Sequence, residues 1–245
     1  MADVKISTLG GKPLLYDRSA PGHYGVGGVP TQPFMNPVFA RECDAMFTEL
    51  VDRLKADAGL EVSKILTGGV SRSGTGASLH HQNRAFDLDA LLFKDGSNWV
   101  STTFPQRPQL YLGIEAVLRR HFGTVLSYDY NRAHQDHFHF DNGTPVKFKS
   151  AAKSHVIFIQ NVIALVYQTR VGRDGVWGPE TERELKTLRQ RLGIGALSEV
   201  ANWKAFLTRV AQDAMAQEKG TVAEPVPAAP AAPRLCHSCG QPLPA

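Results

Sequence analysis

The chain has 245 residues, of which 42% are hydrophobic and 20% are charged. This composition is typical of a globular protein and excludes a wholly disordered chain, a coiled coil and a collagen. The net charge of +4 comes without a run of lysine or arginine, so we expect no nucleic-acid partner, whereas an anionic polymer remains compatible with it.

The first residues contain no basic stretch followed by an apolar stretch, so they do not resemble a secretory signal. No run of 18 or more apolar residues occurs, so we expect no membrane insertion. We therefore expect synthesis in the cytoplasm, and work outside it would need a route other than a cleaved signal.

The first predicted elements are a lead-in and a long helix. Residues 1–33 are rich in glycine and proline, which favours an irregular segment packed on the first domain. Asn36 is a suitable N-cap, Pro37 fits the first helical position, and Gly59 is a natural end. Cys43 lies on the apolar stripe of this helix, which predicts a buried, inert thiol.

Strand signals and a second helix follow. The predicted strands are Val62–Thr67, Ala85–Phe93, Thr124–Tyr128 and His137–Asp141. A helix over about 109–122 stands between the middle two strands, with its apolar residues on one face. We predict an α+β fold, in which a small antiparallel sheet with flanking helices forms a domain over residues 1–148.

A second, helical domain is predicted over residues 152–217. Helical spacing of apolar residues predicts three short helices, the second beginning at Pro179 and the third capped by Ser198. These helices would form a small bundle. Residues 218–245 are rich in proline and alanine and predict a linker that ends in a C-x-x-C pair.

Histidines are unevenly distributed along the chain. Six of the nine lie between residues 80 and 139, and clustered histidines are what a metal site requires. In the strand 137–141, alternation places His137 and His139 on one face and two phenylalanines on the core face. Asp136 precedes this pair at the strand entrance, where its carboxylate can turn into the same cleft.

A second segment supplies complementary groups. The same alternation in the strand 85–93 places Asp87 and Asp89 opposite the core, and His80 lies in the loop before this strand. Two histidines and one carboxylate would leave a fourth zinc position for water. A polar cluster without metal is the alternative, and other divalent metals bind such sites too.

The two segments together resemble a known signature. Ser78-x-His80-x4-Ala85-x-Asp87, followed by Asp136-His137-x-His139, is similar to the zinc D-Ala-D-Ala peptidase superfamily, which includes lysostaphin-like and D,D-carboxypeptidase enzymes. Within it, the chain is most similar to the extensin-like C-terminal family, over about residues 36–142. The resemblance implies that one Zn²⁺ is held by the side chains of His80, Asp87 and His139.

The resemblance also implies roles for the residues around the metal. Asp136 would be the catalytic acid/base, and His137 would stabilise the oxyanion or orient the water. Arg72 would bind a substrate carboxylate, for which a guanidinium fork is suited, and Ser78 would also contact substrate. Asp136 departs from the pattern, because many relatives have Glu there.

Four neighbours of the motif carry open questions. Asn83 stands where these enzymes usually have Gly, and a left-handed turn is tolerable for Asn. We interpret His81 as structural or surface, while His134 either lines the cleft or does not. Asp89 either accepts a hydrogen bond from a ligand imidazole or lies at the surface or rim of the core.

The second unit has a resemblance of its own. Its residues 173–181, RDGVWGPET, are similar to the D-G-x-x-G-x-x-T turn of three-helix peptidoglycan-binding domains. Trp177 is either a wall-contacting aromatic or a core anchor. In the tail, Cys236, His237 and Cys239 either bind a metal by pairing with another chain or are unliganded thiols.

Together these resemblances imply a zinc peptidase that cuts stem peptides or cross-links of peptidoglycan. The expected partners are peptidoglycan and either a secretion adaptor or an immunity protein. It would act in the periplasm or on the cell wall after non-classical export, injection or lysis, as an antibacterial effector or a phage-type endolysin. The alternatives are a non-catalytic wall-binding module held together by its metal, and a zinc N-acetylmuramoyl-L-alanine amidase.

Overall fold

The structure is a computed structural model that describes residues 2–20 and 22–219. Cys236, His237 and Cys239 lie outside the described residues, as does all of the predicted tail except Glu218 and Lys219. Within the described ranges, every helix is too short or too polar to cross a membrane.

The described strands form one large sheet and one small one. They are β1 (Val4–Lys5), β2 (Thr8–Leu9), β3 (Lys12–Tyr16), β4 (Val29–Pro30), β5 (Phe34–Met35), β6 (Val62–Gly69), β7 (Ala85–Phe93), β8 (Asn98–Val100), β9 (Thr124–Leu126) and β10 (Phe138–Asp141). The large sheet has the order β2-β3-β6-β7-β10-β9, with β4 paired to β3 and β8 paired to β7, and β1 pairs with β5.

The predicted α+β class is confirmed, with two corrections to the sheet. It is not wholly antiparallel, because β3 and β6 are parallel. The lead-in over residues 1–33 is not irregular, because it contributes β1 to β4. Gly10 and Gly11 both have positive φ and form the two-residue turn between β2 and β3, so this glycine pair marks a hairpin.

The described helices are α1 (Pro37–Arg53), α2 (Pro108–His121), α3 (Lys153–Asn161), α4 (Pro179–Arg191) and α5 (Val200–Glu218). The predicted start of α1 is confirmed, because the Asn36 side chain accepts from the first backbone N–H groups, and a π-helical turn extends it to the left-handed Gly59. The predicted cap of α5 is wrong: the helix begins after Glu199, and Ser198 lies outside it.

Helix α2 is buried on nearly every side, although the sequence pattern predicts one apolar face. Residues 110–119 are all buried, because α5 covers the side of α2 that α1 and the sheet leave open. Gly113 permits this approach, since a Cβ there would lie 2.8 Å from Met215 Cγ. One continuous hydrophobic core therefore includes residues of both predicted domains, and the domain boundaries stay a prediction.

A buried ion pair lies in the C-terminal half of α2. Arg119 and Glu115 are both 1% exposed, and Arg119 Nη2 donates to Glu115 Oε1 at 2.8 Å. The same nitrogen donates to the carbonyls of Val125 on β9 and Ser154 on α3. The pair therefore links α2 to the sheet edge and to the first helix of the second unit.

Replacing Arg119 tests this linkage. Arg119→Met leaves the Glu115 carboxylate buried without its partner, which we expect to lower the free energy of unfolding by about 3–5 kcal/mol. The double variant Glu115→Met with Arg119→Met should recover much of that loss. Urea unfolding measures both, and a single variant within about 1 kcal/mol of the unaltered chain would contradict the role of the pair.

Candidate metal centre

Strand register brings the predicted ligands together. In the antiparallel pair β7–β10, His139 lies directly opposite Asp87, and Phe140 lies opposite Phe86. The two phenylalanines are fully buried, and their rings stack 5.2 Å apart on the core face. The Asp87 and His139 side chains are consequently fixed on the other face, as strand alternation predicts.

His80 reaches the same point from a short 3₁₀ turn, Leu79–Gln82, before β7. Asn83 ends this turn with φ 56°, which confirms the left-handed conformation expected at this position. The His80 Nδ1–H donates to the carbonyl of Val70 at 2.9 Å, so its Nε2 faces Asp87 and His139. That bond fixes both the orientation and the tautomer of the ring.

The three side chains offer one atom each to a common point. His80 Nε2 lies 3.2 Å from Asp87 Oδ1 and 3.2 Å from His139 Nδ1, and the last two atoms are 3.0 Å apart. Ligands bound tetrahedrally to zinc at about 2.0–2.1 Å lie roughly 3.3 Å from one another. The separations therefore match three corners of a zinc tetrahedron, and the cluster could hold a metal ion.

The electrostatics of this cluster favour a positive charge at its centre. Burial lowers the pKa of His139, but hydrogen bonds to Asp141 and Asp87 outweigh it and raise the pKa to about 9. Burial alone would raise the pKa of Asp87, yet its bonds to His139 and His80 hold it well below its usual range. A cation between these groups would take the place of the His139 proton.

Asp141 orients His139, the third predicted ligand. This role was not assigned to Asp141 in the sequence analysis. His139 Nε2–H donates to Asp141 Oδ2 at 3.2 Å, and the other Asp141 oxygen accepts from the Gly143 backbone at 2.8 Å. A carboxylate behind a ligand imidazole is the usual outer partner of a metal-bound histidine. The signal was the spacing itself, since residues two apart share a face of β10.

Asp136 and His137 lie beside the three-residue cluster. His137 Nδ1–H donates to Asp136 Oδ1 at 2.7 Å, and its Nε2 lies 3.6 Å from Asp87 Oδ1. Burial raises the pKa of Asp136, but the His137 bond and the charge of Arg18 lower it below its usual range. The Asp136 side chain is 46% exposed, so an ionised carboxylate borders open space at the edge of the cluster.

The other predicted residues lie around the opening. Arg72 is exposed. Its backbone N–H donates to the His80 carbonyl at 3.1 Å, which places Arg72 next to the 3₁₀ turn that carries His80. Ser78 is half-buried and precedes the same turn. His81 Nδ1–H donates to the Arg72 carbonyl, a structural contact, and the His134 ring lines the cleft 5.2 Å from that of His137.

Asp89 has a different partner from the imidazole considered for it. It is fully buried, and Arg18 binds it through two hydrogen bonds, Nε to Oδ2 at 2.8 Å and Nη2 to Oδ1 at 2.9 Å. Arg18 Nη1 lies 3.3 Å from Asp136 Oδ2, so one arginine joins both carboxylates. No motif signalled Arg18, because its contacts are 71 and 118 residues away in sequence.

Residues 31–150 match the family model of the extensin-like protein C-terminus. This extensin-like region is 120 of the 245 residues and contains all three metal-ligand candidates with Asp136 and His137. Arg18 and the second helical unit lie outside it. Searches of curated proteins and of solved structures found no match to the chain.

Zinc titration of the metal-free protein tests the cluster. Asp87→Ala removes one of the three ligand candidates and should abolish binding, whereas Asp141→Asn keeps the Gly143 contact and should weaken zinc affinity by about 10- to 100-fold. His121→Ala is the matched control, because His121 forms a similar pair with Glu49, at 2.8 Å, on the core side of the sheet. Calorimetry that finds equal affinity in Asp87→Ala would contradict the assignment.

Proposed function

We propose that the protein is a zinc-dependent peptidase that hydrolyses peptide bonds in the stem peptides or cross-links of peptidoglycan. The observation that carries the proposal is the three-atom cluster of tetrahedral spacing beside an accessible, ionised carboxylate. His80, Asp87 and His139 would hold the metal. When bound, zinc would polarise the scissile carbonyl and lower the pKa of a water molecule to about 7.

Asp136 would move the proton in this reaction. Because His137 and Arg18 stabilise its ionised form, the carboxylate enters as a base and can accept a proton from the attacking water. Its exposure allows it to return that proton to the leaving amine. A cavity of about 450 Å³, lined on its other sides by residues that include Arg18 and Tyr24, adjoins Asp136 and leaves open space beside this carboxylate.

His137 would complete the reacting face. Its Nδ1–H is engaged by Asp136, and the opposite edge of the ring, with Nε2, faces the cluster. That edge can hold a water molecule or donate to a developing oxyanion when protonated. Arg72 and Ser78, beside the 3₁₀ turn that carries His80, would contact the substrate, and Arg72 would bind a carboxylate of the stem peptide.

The choice of peptidoglycan is supported by the second unit. Asp174 Oδ1 accepts from the Val176 backbone and from Gln160, and Gly175 has φ 74°, so the DGVWG stretch forms a tight turn. A groove of about 600 Å³ beside it is lined by the half-buried Trp177, by one carboxylate, Glu182, and by four cationic side chains: Lys147, Lys149, Lys186 and Arg189. An anionic wall fragment would match this charge.

The proposal includes a place of action. A peptidoglycan peptidase would work in the periplasm or on the cell wall. The protein would reach this place by injection, as an antibacterial effector, or by lysis, as a phage-type endolysin. Its partners would be the wall and either a secretion adaptor or an immunity protein.

Mass spectrometry of digested sacculi tests the function. The zinc-loaded protein should release muropeptides with new amino termini, and a chelator should stop their release. Asp136→Ala should slow release by about 10²- to 10⁴-fold, because it removes the proton carrier. Asp95→Ala, an exposed carboxylate in the β7–β8 turn, is the matched control and should retain the full rate.

Two outcomes would contradict the peptidase. Free lactyl groups in place of new amino termini would indicate an amidase that cuts between sugar and peptide. Unchanged muropeptides, with zinc bound and the fold intact, would indicate a wall-binding module in which the metal is structural.

A further inference from the structure

We propose that Arg18 is a positioning residue that holds the Asp136 carboxylate in place for proton transfer. The inference rests on the proposed function, because it assigns Asp136 to the reaction. Arg18 belongs to a loop, described over residues 17–20 and 22–25, that follows β3 and lies outside the extensin-like region. This loop would therefore complete a site whose other parts come from the family-matched residues.

The position of the guanidinium is set by the sheet. Asp89 on β7 is 0% exposed, and its carboxylate holds Arg18 Nε and Nη2 at 2.8 and 2.9 Å. Gly68 on the neighbouring strand β6 leaves the space for this pair, since a Cβ there would lie 2.6 Å from Asp89 Oδ1 and 2.7 Å from Arg18 Nε. Arg18 is consequently anchored on a rigid element although its backbone lies in a loop.

The anchored guanidinium leaves one nitrogen for Asp136. Arg18 Nη1 lies 3.3 Å from Asp136 Oδ2, while His137 Nδ1–H occupies Oδ1. Each carboxylate oxygen therefore has a separate partner, which fixes the rotation of a side chain that is 46% exposed. The short reach of aspartate makes such fixation important, because a misplaced carboxylate cannot compensate by extending.

The same loop also holds the backbone of Asp136. The Tyr24 hydroxyl donates to the Asp136 carbonyl and lies 3.1 Å from Ser101 Oγ, and the Arg18 guanidinium lies over the Tyr24 ring at 5.7 Å. Asp17 closes the loop by accepting from the Gly25 backbone at 2.6 Å. The loop thus contacts both the side chain and the main chain of the proposed acid/base.

The charges around Arg18 argue against a direct role in binding substrate. One cation faces the carboxylates of Asp89 and Asp136, with Asp17 next to it in sequence. A substrate carboxylate would therefore meet a surplus of negative charge at this point. Orienting Asp136 is the role that these contacts support.

A double-mutant cycle on the zinc-loaded full chain tests the proposal. With purified muropeptides as substrate, Arg18→Ala should lower kcat by about 10- to 100-fold and leave KM within about twofold. Arg18→Lys keeps one cation and should recover part of kcat. In the Asp136→Ala background, Arg18→Ala should cause no further loss, because the group that it positions is absent.

Arg53→Ala is the matched control. Arg53 also contacts two carboxylates, Glu49 at 2.7 Å and Asp57 at 3.5 Å, but it lies at the end of α1 on the core side of the sheet. It should leave kcat unchanged. Losses that multiply in the double variant, a rise in KM without a fall in kcat, or equal behaviour of Arg18→Ala and Arg53→Ala would overturn the proposal.

A second readout separates this inference from the proposed function. If the unaltered chain hydrolyses no muropeptide, the peptidase proposal fails, and carboxyl-carbon NMR titration of Asp136 decides the role of Arg18. The Asp136 pKa should rise in Arg18→Ala and be partly restored in Arg18→Lys. An Asp136 pKa that is the same in all three proteins would overturn the inference.

Discussion

The candidate site depends on one strand register, in which Asp87 on β7 lies directly opposite His139 on β10. Phe86 and Phe140 form the next pair along and stack in the core, and burying each ring contributes about 1.5–3 kcal/mol. A slip of β10 by one residue against β7 would turn Phe140 to solvent and His139 into the core. The hydrophobic packing on one face of the sheet therefore determines the polar geometry on the other face.

Around this pair, contacts from both nearby and distant parts of the sequence complete the arrangement. His80 comes from the turn just before β7, and its orientation depends on the Val70 carbonyl. Asp141 orients His139 from two residues away on the same strand. Arg18 is distant from these residues in sequence. It follows β3, and the parallel pairing of β3 with β6 brings it to the site. The sheet thus collects a cation, a set of carboxylates and a set of imidazoles that no single segment contains.

Features that depend on residues close together in sequence were predictable, whereas features that depend on contacts between distant residues were not. Asn36 and Gly59 specify the ends of α1 and its π-helical extension through local backbone preferences, and strand alternation separated the core residues from the ligand candidates. The sequence predicts an irregular lead-in because three of its four strands, β1, β2 and β4, have only two residues and are too short to show a period. Arg18 was missed because a parallel pairing of residues 51 apart in sequence brings it to Asp89. The all-round burial of α2 likewise depends on α5, which follows about 80 residues later.

Anomalous diffraction at the zinc edge, on crystals grown with zinc, tests the central claim most directly. The account predicts one zinc peak at about 2.0–2.2 Å from His80 Nε2, Asp87 Oδ1 and His139 Nδ1, with its fourth position open toward Asp136. A zinc peak at any other group of side chains, with this cluster still held by its own hydrogen bonds, would contradict it.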